Sequence, residues 1–267
     1  MLTNFHTHTT FCDGDNTVEE MVLAALEKDF SAIGFSGHGY TAHDLRYCMQ
    51  NTEGYISEIK RLKEKYKKDI QIYLGIEEDA SEPVESREEY DYIIGSSHYI
   101  FYNGEYNTVD SSKEHFAETL SVFNNDILKM ADAYYSSFCE YILKRKPDIV
   151  GHFDLVTKYD DIIAPGVCAN PEYIKLSEKY MDIALTSGCI FEVNTGAMAK
   201  GYRKTPYPAE NLLYLMKKRD GKLILNSDCH FTSGLDFAFS ETKKMLKDIG
   251  FEYIYTLYNN EFGKDYL

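Results

Sequence analysis

The 267-residue chain is poor in basic residues: 28 Lys and Arg stand against 43 Asp and Glu, and the formal net charge is −15. Proteins that bind nucleic acid usually show a basic patch, because they contact phosphates. We therefore expect no nucleic-acid partner. The acidity does not exclude a small anionic substrate, since divalent cations in a cleft reverse the local electric field.

The chain also lacks long apolar runs and paired cysteines. No apolar run approaches the roughly 20 residues that cross a bilayer. No basic segment followed by an apolar one opens the chain, so we expect no signal peptide. None of the six cysteines forms a CxxC pair, and their scatter is typical of reduced thiols. These absences predict a cytoplasmic protein with no membrane partner.

Low-complexity tracts and Pro-rich linkers are missing as well, and only six prolines are present. Hydrophobic residues make up 44% of the chain and charged residues 27%, which is typical of a globular enzyme. Barrels of α/β type often reach this length as one unit. We therefore expect a single domain over residues 1–267.

What the chain does have is a regular alternation of short β-type runs and longer amphipathic stretches. The predicted strands are 2–6, 32–36, 70–76, 90–97, 148–152, 189–194 and 222–228. The predicted helices are 17–30, 53–69, a long region around 114–146, 172–188 and 209–221. Such alternation predicts parallel strands joined by crossover helices, in an open or a closed sheet. The tail at 251–262 is a candidate for one more strand or an extended edge.

Each predicted strand ends in, or runs into, a residue that can bind a metal. His6 and His8 are two residues apart on the first strand, with Thr7 between them, so their side chains share a face. The carboxyl ends of parallel strands meet on one face of an α/β fold. Six of the eight histidines lie at these ends, which scattered surface histidines would not do. The candidate metal ligands are His6, His8, Asp13, His38, Glu77, His98, His152, Asp228 and His230.

The number and type of these candidates predict a cluster of ions. A structural zinc site has four ligands and usually includes cysteine. Nine His and carboxylate candidates predict two or three divalent ions a few Å apart, with a carboxylate bridging at least one pair. Such ligands suit Zn²⁺, Fe or Mn²⁺ better than Ca²⁺. Clusters of this kind serve the hydrolysis of phosphate esters.

Six motifs follow one another between residues 5 and 230: FHTHTTFCDG, GFSGHGY, GIEED, SSHY, VGHFDLVTKY and NSDCH. In this ordered set the sequence resembles the PHP (polymerase and histidinol phosphatase) superfamily. THTTFCDG, GHFDLV and EVNTGAMAKGYRKTPYP are similar to its histidinol-phosphatase branch. The resemblance implies an α/β fold, a distorted TIM-like barrel of seven parallel strands, (β/α)7, with a trinuclear metal centre.

The resemblance also implies how the ligands divide among three ions. The set implied for the first ion is His6, His8, Glu77 and Asp228. Glu77 bridges to the second ion, whose other ligands are His98 and His152. The set implied for the third ion is Asp13, His38 and His230.

The activity implied is hydrolysis of L-histidinol phosphate to histidinol and phosphate, in histidine biosynthesis. Asp13, His38 and His230 are the candidates to protonate the leaving alkoxide. Lys158 and Arg203 are the candidates to bind the substrate phosphate. The family usually has an arginine where this chain has Lys158, and lysine lacks the two-pronged fork of a guanidinium.

Three other functions stay open. The first is another PHP phosphoesterase, such as a protein-tyrosine phosphatase, because such proteins differ mainly in their loops. The second is a metal-binding PHP module without activity. The third is an amidohydrolase-type barrel, which usually bridges its metals with a lysine, whereas Glu77 stands here. Glu192 is expected to orient a ligand histidine, and Cys229 to be a small buried neighbour rather than a nucleophile.

Overall fold

The computed structural model describes residues 1–160, 162–163 and 165–267. Its main sheet has nine strands, of which the first eight run parallel and the last pairs antiparallel. In order across the sheet they are β1 (Thr3–Asn4), β2 (Ala32–Phe35), β3 (Gln71–Asp79), β4 (Tyr92–Ser96), β7 (Ile149–Val150), β8 (Ile190–Asn194), β9 (Lys222–Asn226), β10 (Tyr253–Tyr258) and β11 (Glu261–Tyr266). Two further strands, β5 (Tyr99–Tyr102) and β6 (Glu105–Thr108), form a separate hairpin.

Eight α-helices connect and cover the strands in the described part of the chain. They are α1 (Val18–Glu27), α2 (Thr52–Lys65), α3 (Lys113–Val122), α4 (Ile127–Arg145), α5 (Pro171–Leu185), α6 (Gly196–Ala199), α7 (Glu210–Lys218) and α8 (Phe239–Ile249). The helix predicted around 114–146 is two helices. Asn124 and Asn125 separate them with positive φ angles of 59° and 58°, which asparagine tolerates better than most residues, and Asp126 caps α4.

All seven predicted strands are present, but the predicted seven-stranded barrel is wrong in its strand number. The sheet is a nine-stranded, curled half-barrel. The tail adds β10 beside β9, with Tyr255 opposite Ile224, and β11 returns antiparallel to β10. Ile254 and Leu257 are buried, so burial of apolar side chains holds this hairpin on the sheet. The candidate strand at 251–262 is thereby confirmed.

The concave side of the curled sheet is filled by large side chains that support the site above them. Tyr92 lies there with its hydroxyl donating to the carbonyl oxygen of Phe5 at 2.5 Å. Gly34 and Gly75 make room for this ring, because a Cβ at either position would lie 2.4 or 2.2 Å from Tyr92 atoms. Phe5 is fully buried against Tyr73 and Tyr92. The next residue, His6, therefore starts from a fixed backbone position.

At the carboxyl ends of the strands, the segments that follow β1 and β9 pair with each other. Thr7 and Cys229 form an isolated parallel bridge. The His8 N–H donates to the Cys229 carbonyl at 2.9 Å, and the Cys229 N–H donates to the His6 carbonyl at 3.2 Å. This pairing brings the two histidines beside the residues that flank Cys229.

None of the helices in the described residues combines the length and the apolar character needed to cross a membrane.

Candidate metal centre

Each predicted ligand lies at the carboxyl edge of the sheet, within a strand or on the segment that follows one. His6 and His8 follow β1, His38 follows β2, and Glu77 lies within β3. The remaining ligands lie on the turn after His8 and just beyond β4, β7 and β9: Asp13, His98, His152, Asp228 and His230. The parallel topology therefore brings all nine predicted ligands together.

Glu77 is at the centre of the cluster, and both of its carboxylate oxygens face histidine nitrogens. Its Oε2 lies 2.8 Å from His38 Nδ1, 3.3 Å from His6 Nε2 and 3.6 Å from His8 Nε2. Its Oε1 lies 3.1 Å from His152 Nε2 and 3.5 Å from His98 Nε2. Glu77 is 1% exposed. A carboxylate that faces histidines through both oxygens has the arrangement of a bridging ligand.

Asp228 and Asp13 face the outer histidines of the same cluster. Asp228 Oδ1 lies 3.1 Å from His8 Nε2 and 3.7 Å from His6 Nε2. Asp13 Oδ1 lies 3.6 Å from His8 Nδ1 and 3.6 Å from His38 Nε2. Asp13 Oδ2 lies 3.3 Å from His230 Nε2. Ligand atoms within 4.8 Å of one another form four overlapping groups. The groups are His8, Asp13, His38 and His230; His6, His8 and Asp228; His6, Glu77 and His152; and His38, Glu77 and His98.

Carboxylates behind the ligands fix the histidine rings. Glu192 Oε1 accepts from His6 Nδ1 at 2.7 Å, as the sequence predicted for a residue that orients a ligand histidine. Asp79 Oδ2 accepts from His98 Nδ1 at 2.9 Å and from the His98 N–H at 2.8 Å. Asp79 was not among the predicted site residues. The signal was its spacing from Glu77, because residues i and i+2 of a strand share a face.

The electrostatics of the cluster favour a cation. Burial opposes protonation of His6, but Glu192, Glu77 and Asp228 outweigh burial and raise the pKa of His6 well above its usual value. Burial likewise opposes ionisation of Glu77, yet the neighbouring His6, His38 and His98 hold its pKa well below the usual range. Burial lowers the pKa of His8 to about 3, with help from His230 and His38. His8 is therefore neutral and keeps a free lone pair for a metal.

Three atoms at the centre of the cluster are buried without a hydrogen bond to any described residue: His6 Nε2, His8 Nε2 and Glu77 Oε2. A buried polar atom left unpaired costs about 1–3 kcal/mol, so such atoms call for a specific explanation. All three point toward one another and toward Asp228, and all three are atom types that bind Zn²⁺, Fe or Mn²⁺. The residues present therefore fit divalent metal ions.

A cavity of about 320 Å³ opens above the cluster. Asp13, His38, His98, His152, Asp228 and His230 contribute to its lining. Lys158 also lines the cavity, and its Nζ donates to the Asp110 carbonyl at 2.8 Å and lies 3.4 Å from the Asp110 carboxylate. A further cation in the wall, Lys200, lies 3.3 Å from His230 Nδ1. Lys200 was not among the predicted site residues, because it lies just after α6, a four-residue helix too short to show a periodic pattern.

Arg203 takes a different position from Lys158. Its guanidinium donates to the Thr157 side chain and lies 4.5 Å above the Tyr207 ring. Arg203 lines a smaller cavity beside the main one, whereas Tyr207 lines the main cavity. The structure thus places Lys158 in the wall above the cluster and Arg203 behind that wall.

Cys229 is 3% exposed, and burial raises the pKa of its thiol to about 12. A thiol in that state is not a nucleophile at neutral pH. The prediction that Cys229 is a small buried neighbour of the site is confirmed.

His43, outside the cluster, stacks on Tyr106 of the β5–β6 hairpin with ring centroids 4.0 Å apart.

The fold and the cluster define a class of protein: an α/β half-barrel with a site for several metal ions at the carboxyl ends of its parallel strands. Within that class, the model of the PHP domain matches residues 4–196. The chain belongs to the PHP family, as the six ordered motifs predicted.

Curated relatives and solved structures agree with this membership. The chain is 26% identical to a Schizosaccharomyces pombe protein named "Probable histidinol-phosphatase", over 92% of this chain and 86% of that one. It is also 26% identical to the histidinol-phosphatase of Bacillus subtilis, over 88% of this chain and 95% of that one. The same fold occurs in the histidinol phosphate phosphatase of Lactococcus lactis, solved with Zn, L-histidinol and phosphate. That likeness has a TM-score of 0.73 at 19% identity and covers 98% of each chain.

Proposed function

We propose that this protein is a metal-dependent phosphomonoester hydrolase and that its substrate is L-histidinol phosphate. The observation that carries the proposal is the Glu77-centred cluster at the floor of the cavity, with its three unpaired buried ligand atoms. Membership of the PHP family and the names of the relatives support the choice of reaction and substrate. The working unit is a single domain over residues 1–267.

Two or three divalent ions, Zn²⁺, Fe or Mn²⁺, are the proposed cofactors. Their ligands would be His6, His8, Asp13, His38, Glu77, His98, His152, Asp228 and His230. The chemistry that such ions supply is the activation of water and the neutralisation of negative charge on a phosphoryl group. Glu192 and Asp79 hold the rings of His6 and His98 in place for this purpose.

The cavity wall supplies the charge that a phosphorylated substrate needs. Lys158 and Lys200 bring ammonium groups to the same cavity as the cluster. Lys158 is only 13% exposed, and its contact with Asp110 holds it at the wall. Partial burial strengthens its attraction for a phosphoryl oxygen. Arg203 supports the wall from behind rather than contacting the phosphate.

The proposed proton donor to the leaving alkoxide is His230, in a centre that holds two ions and leaves this imidazole free of metal. Asp13 is poorly suited, because His38, His230 and His8 outweigh the effect of burial and lower its pKa below the usual value. His38 Nδ1 lies 2.8 Å from Glu77 Oε2, at the centre of the cluster, so His38 is assigned to the metal ions. His230 lies at the cavity wall with 13% of its side chain exposed, where a leaving oxygen can reach it.

The test is a phosphatase screen with metal analysis on one purified sample. Metal content is measured by mass spectrometry, and phosphate release is measured from L-histidinol phosphate, a phosphotyrosine peptide and a nucleoside monophosphate. We expect bound Zn, Fe or Mn and a kcat/KM for L-histidinol phosphate at least ten times that for the others. A preference for phosphotyrosine would favour a tyrosine phosphatase. Bound metal without any hydrolysis would favour a non-catalytic module.

A further inference from the structure

Tyr207 occupies an unusual position in the cavity wall. It lines the main cavity, is 1% exposed, and its ring centroid lies 6.4 Å from that of His152. Two backbone hydrogen bonds tie it to the end of β8: the Asn194 N–H donates to the Tyr207 carbonyl at 2.8 Å, and the Tyr207 N–H donates to the Asn194 carbonyl at 3.0 Å. Its backbone is therefore fixed to a strand of the site rather than to a loose loop.

The Tyr207 ring is fixed as well. Arg203 stacks on one face at 4.5 Å and is itself held by hydrogen bonds to Thr157. A guanidinium over a tyrosine ring in a water-poor place is an attractive contact. Arg203 is thus a positioning residue for Tyr207, and it connects the ring to the short 3₁₀ helix Leu155–Thr157, which precedes Lys158.

Among the largest fully buried tyrosines of the described chain, Tyr207 differs from the others because its hydroxyl has no hydrogen-bond partner. Six others have hydrogen-bonded hydroxyls: Tyr55, Tyr73, Tyr92, Tyr134, Tyr135 and Tyr159. The Tyr207 hydroxyl has no such partner among the described residues. A buried hydroxyl without a hydrogen-bond partner destabilises the fold. A bound ligand that accepts a hydrogen bond from this hydroxyl is the best explanation for such a residue.

We propose that the Tyr207 hydroxyl donates a hydrogen bond to a phosphoryl oxygen of the bound substrate. This inference rests on the proposed function, because it takes a phosphomonoester as the ligand of the cavity. Tyr207 lines the same cavity as Lys158 and Lys200, the two cations proposed to attract the phosphate.

The protonation state of the phenol agrees with a donor role. Burial raises the pKa of Tyr207 well above its usual value, and Asp154, Asp110 and Asp228 raise it further, although Arg203 opposes them. The phenol therefore keeps its proton throughout the neutral range. A neutral donor aimed at a charged oxygen forms one of the stronger hydrogen bonds in proteins.

The test compares Tyr207→Phe with wild type and with Tyr135→Phe as a matched control. Tyr135 is fully buried and its hydroxyl is bonded to that of Tyr173 at 2.7 Å, far from any role proposed here. Each protein is measured for metal content, for the urea midpoint of unfolding, for kcat/KM with L-histidinol phosphate, and for the dissociation constant of inorganic phosphate in the metal-loaded state.

For Tyr207→Phe we expect a kcat/KM about 10- to 100-fold lower and phosphate binding about 10-fold weaker, at full metal content. Its urea midpoint should be equal to or above that of wild type, because an unpaired hydroxyl is removed. Tyr135→Phe should show the reverse, with a lower midpoint and unchanged kinetics.

Two results would overturn the inference. One is a Tyr207→Phe variant whose kcat/KM and phosphate affinity stay within twofold of wild type. The other is a variant that loses metal or stability in proportion to activity, which would make Tyr207 a structural residue. If wild type hydrolyses no phosphomonoester, the proposed function fails. The phosphate dissociation constants still decide the role of Tyr207 in that case, and a wild type that binds no phosphate refutes both.

Discussion

Replacing Glu192 by glutamine tests the support of the metal centre at a single buried carboxylate. Glu192 is fully buried on β8 and accepts four hydrogen bonds. Oε1 accepts from His6 Nδ1 at 2.7 Å and from Asn226 Nδ2 at 3.0 Å. Oε2 accepts from the His152 N–H at 3.0 Å and from Asn194 Nδ2 at 2.8 Å. All four partners are donors, and a glutamine amide has only one acceptor oxygen.

The magnitude follows from that count. However the introduced amide is turned, its NH₂ group faces two donors and both hydrogen bonds are lost. Each loss leaves a buried donor unpaired at about 1–3 kcal/mol. Glu192→Gln should therefore lower the free energy of unfolding by about 2–6 kcal/mol, the sum of two such losses. Loss of the carboxylate behind His6 should also weaken metal binding by about 10- to 100-fold.

The assay is urea unfolding of the metal-free protein, followed by circular dichroism, together with zinc titration of the folded variant. Glu210→Gln is the matched control, since Glu210 is exposed at the start of α7. It should change neither quantity by more than experimental error. A Glu192→Gln variant that loses less than about 1 kcal/mol, the lower bound for one unpaired donor, and binds zinc as tightly as wild type would refute the reasoning.

Three further outcomes follow from other contacts. Arg145→Met should lower the free energy of unfolding in urea by about 3–5 kcal/mol, because the buried Glu78 carboxylate loses two hydrogen bonds of 2.7 and 2.9 Å. The double variant with Glu78→Gln should recover much of this loss. Lys158→Ala should lower kcat/KM for L-histidinol phosphate about 10-fold or more in steady-state kinetics, and an unchanged value would remove Lys158 from the site. Hydrogen bonding from Arg46 lowers the pKa of Asp44 to about 2. The Asp44–Arg46 pair therefore stabilises the folded protein above the ordinary carboxyl pKa, and this stabilisation is lost as the pH falls toward 2. Unfolding of wild type and Asp44→Asn should therefore differ at about pH 5 and converge near about pH 2, and a difference independent of pH would contradict this.

The sequence was sufficient for the predictions that depend on strand periodicity and on parallel topology. His6 and His8 share a face because they are two residues apart, and all nine predicted ligands meet because parallel strands end at one edge. The seven-strand number came from the family resemblance, and the pattern at 251–262 gave only a candidate for one more strand. Whether that strand joins the sheet depends on long-range pairing, such as Tyr255 beside Ile224, which local pattern does not reveal.

The residues of the cavity wall were harder to predict from the sequence than the predicted metal ligands at the floor of the cavity. Arg203 and Lys158 looked equivalent in the sequence, since both are basic residues on loops. Only the fold shows that Lys158 faces the cavity while Arg203 stacks behind Tyr207. Loop conformation depends on tertiary contacts, such as the bridge between Asn194 and Tyr207, and such contacts leave no periodic signal.

The most direct test of the central claim is the comparison of Glu77→Ala with wild type for bound metal and for phosphate release from L-histidinol phosphate, measured on the same samples. Glu77 faces five histidines through its two oxygens, so its loss should disrupt the whole cluster. We predict that the variant loses at least one metal ion per chain and nearly all activity while remaining folded. A Glu77→Ala protein with full metal content and full phosphatase activity would contradict the proposed metal centre.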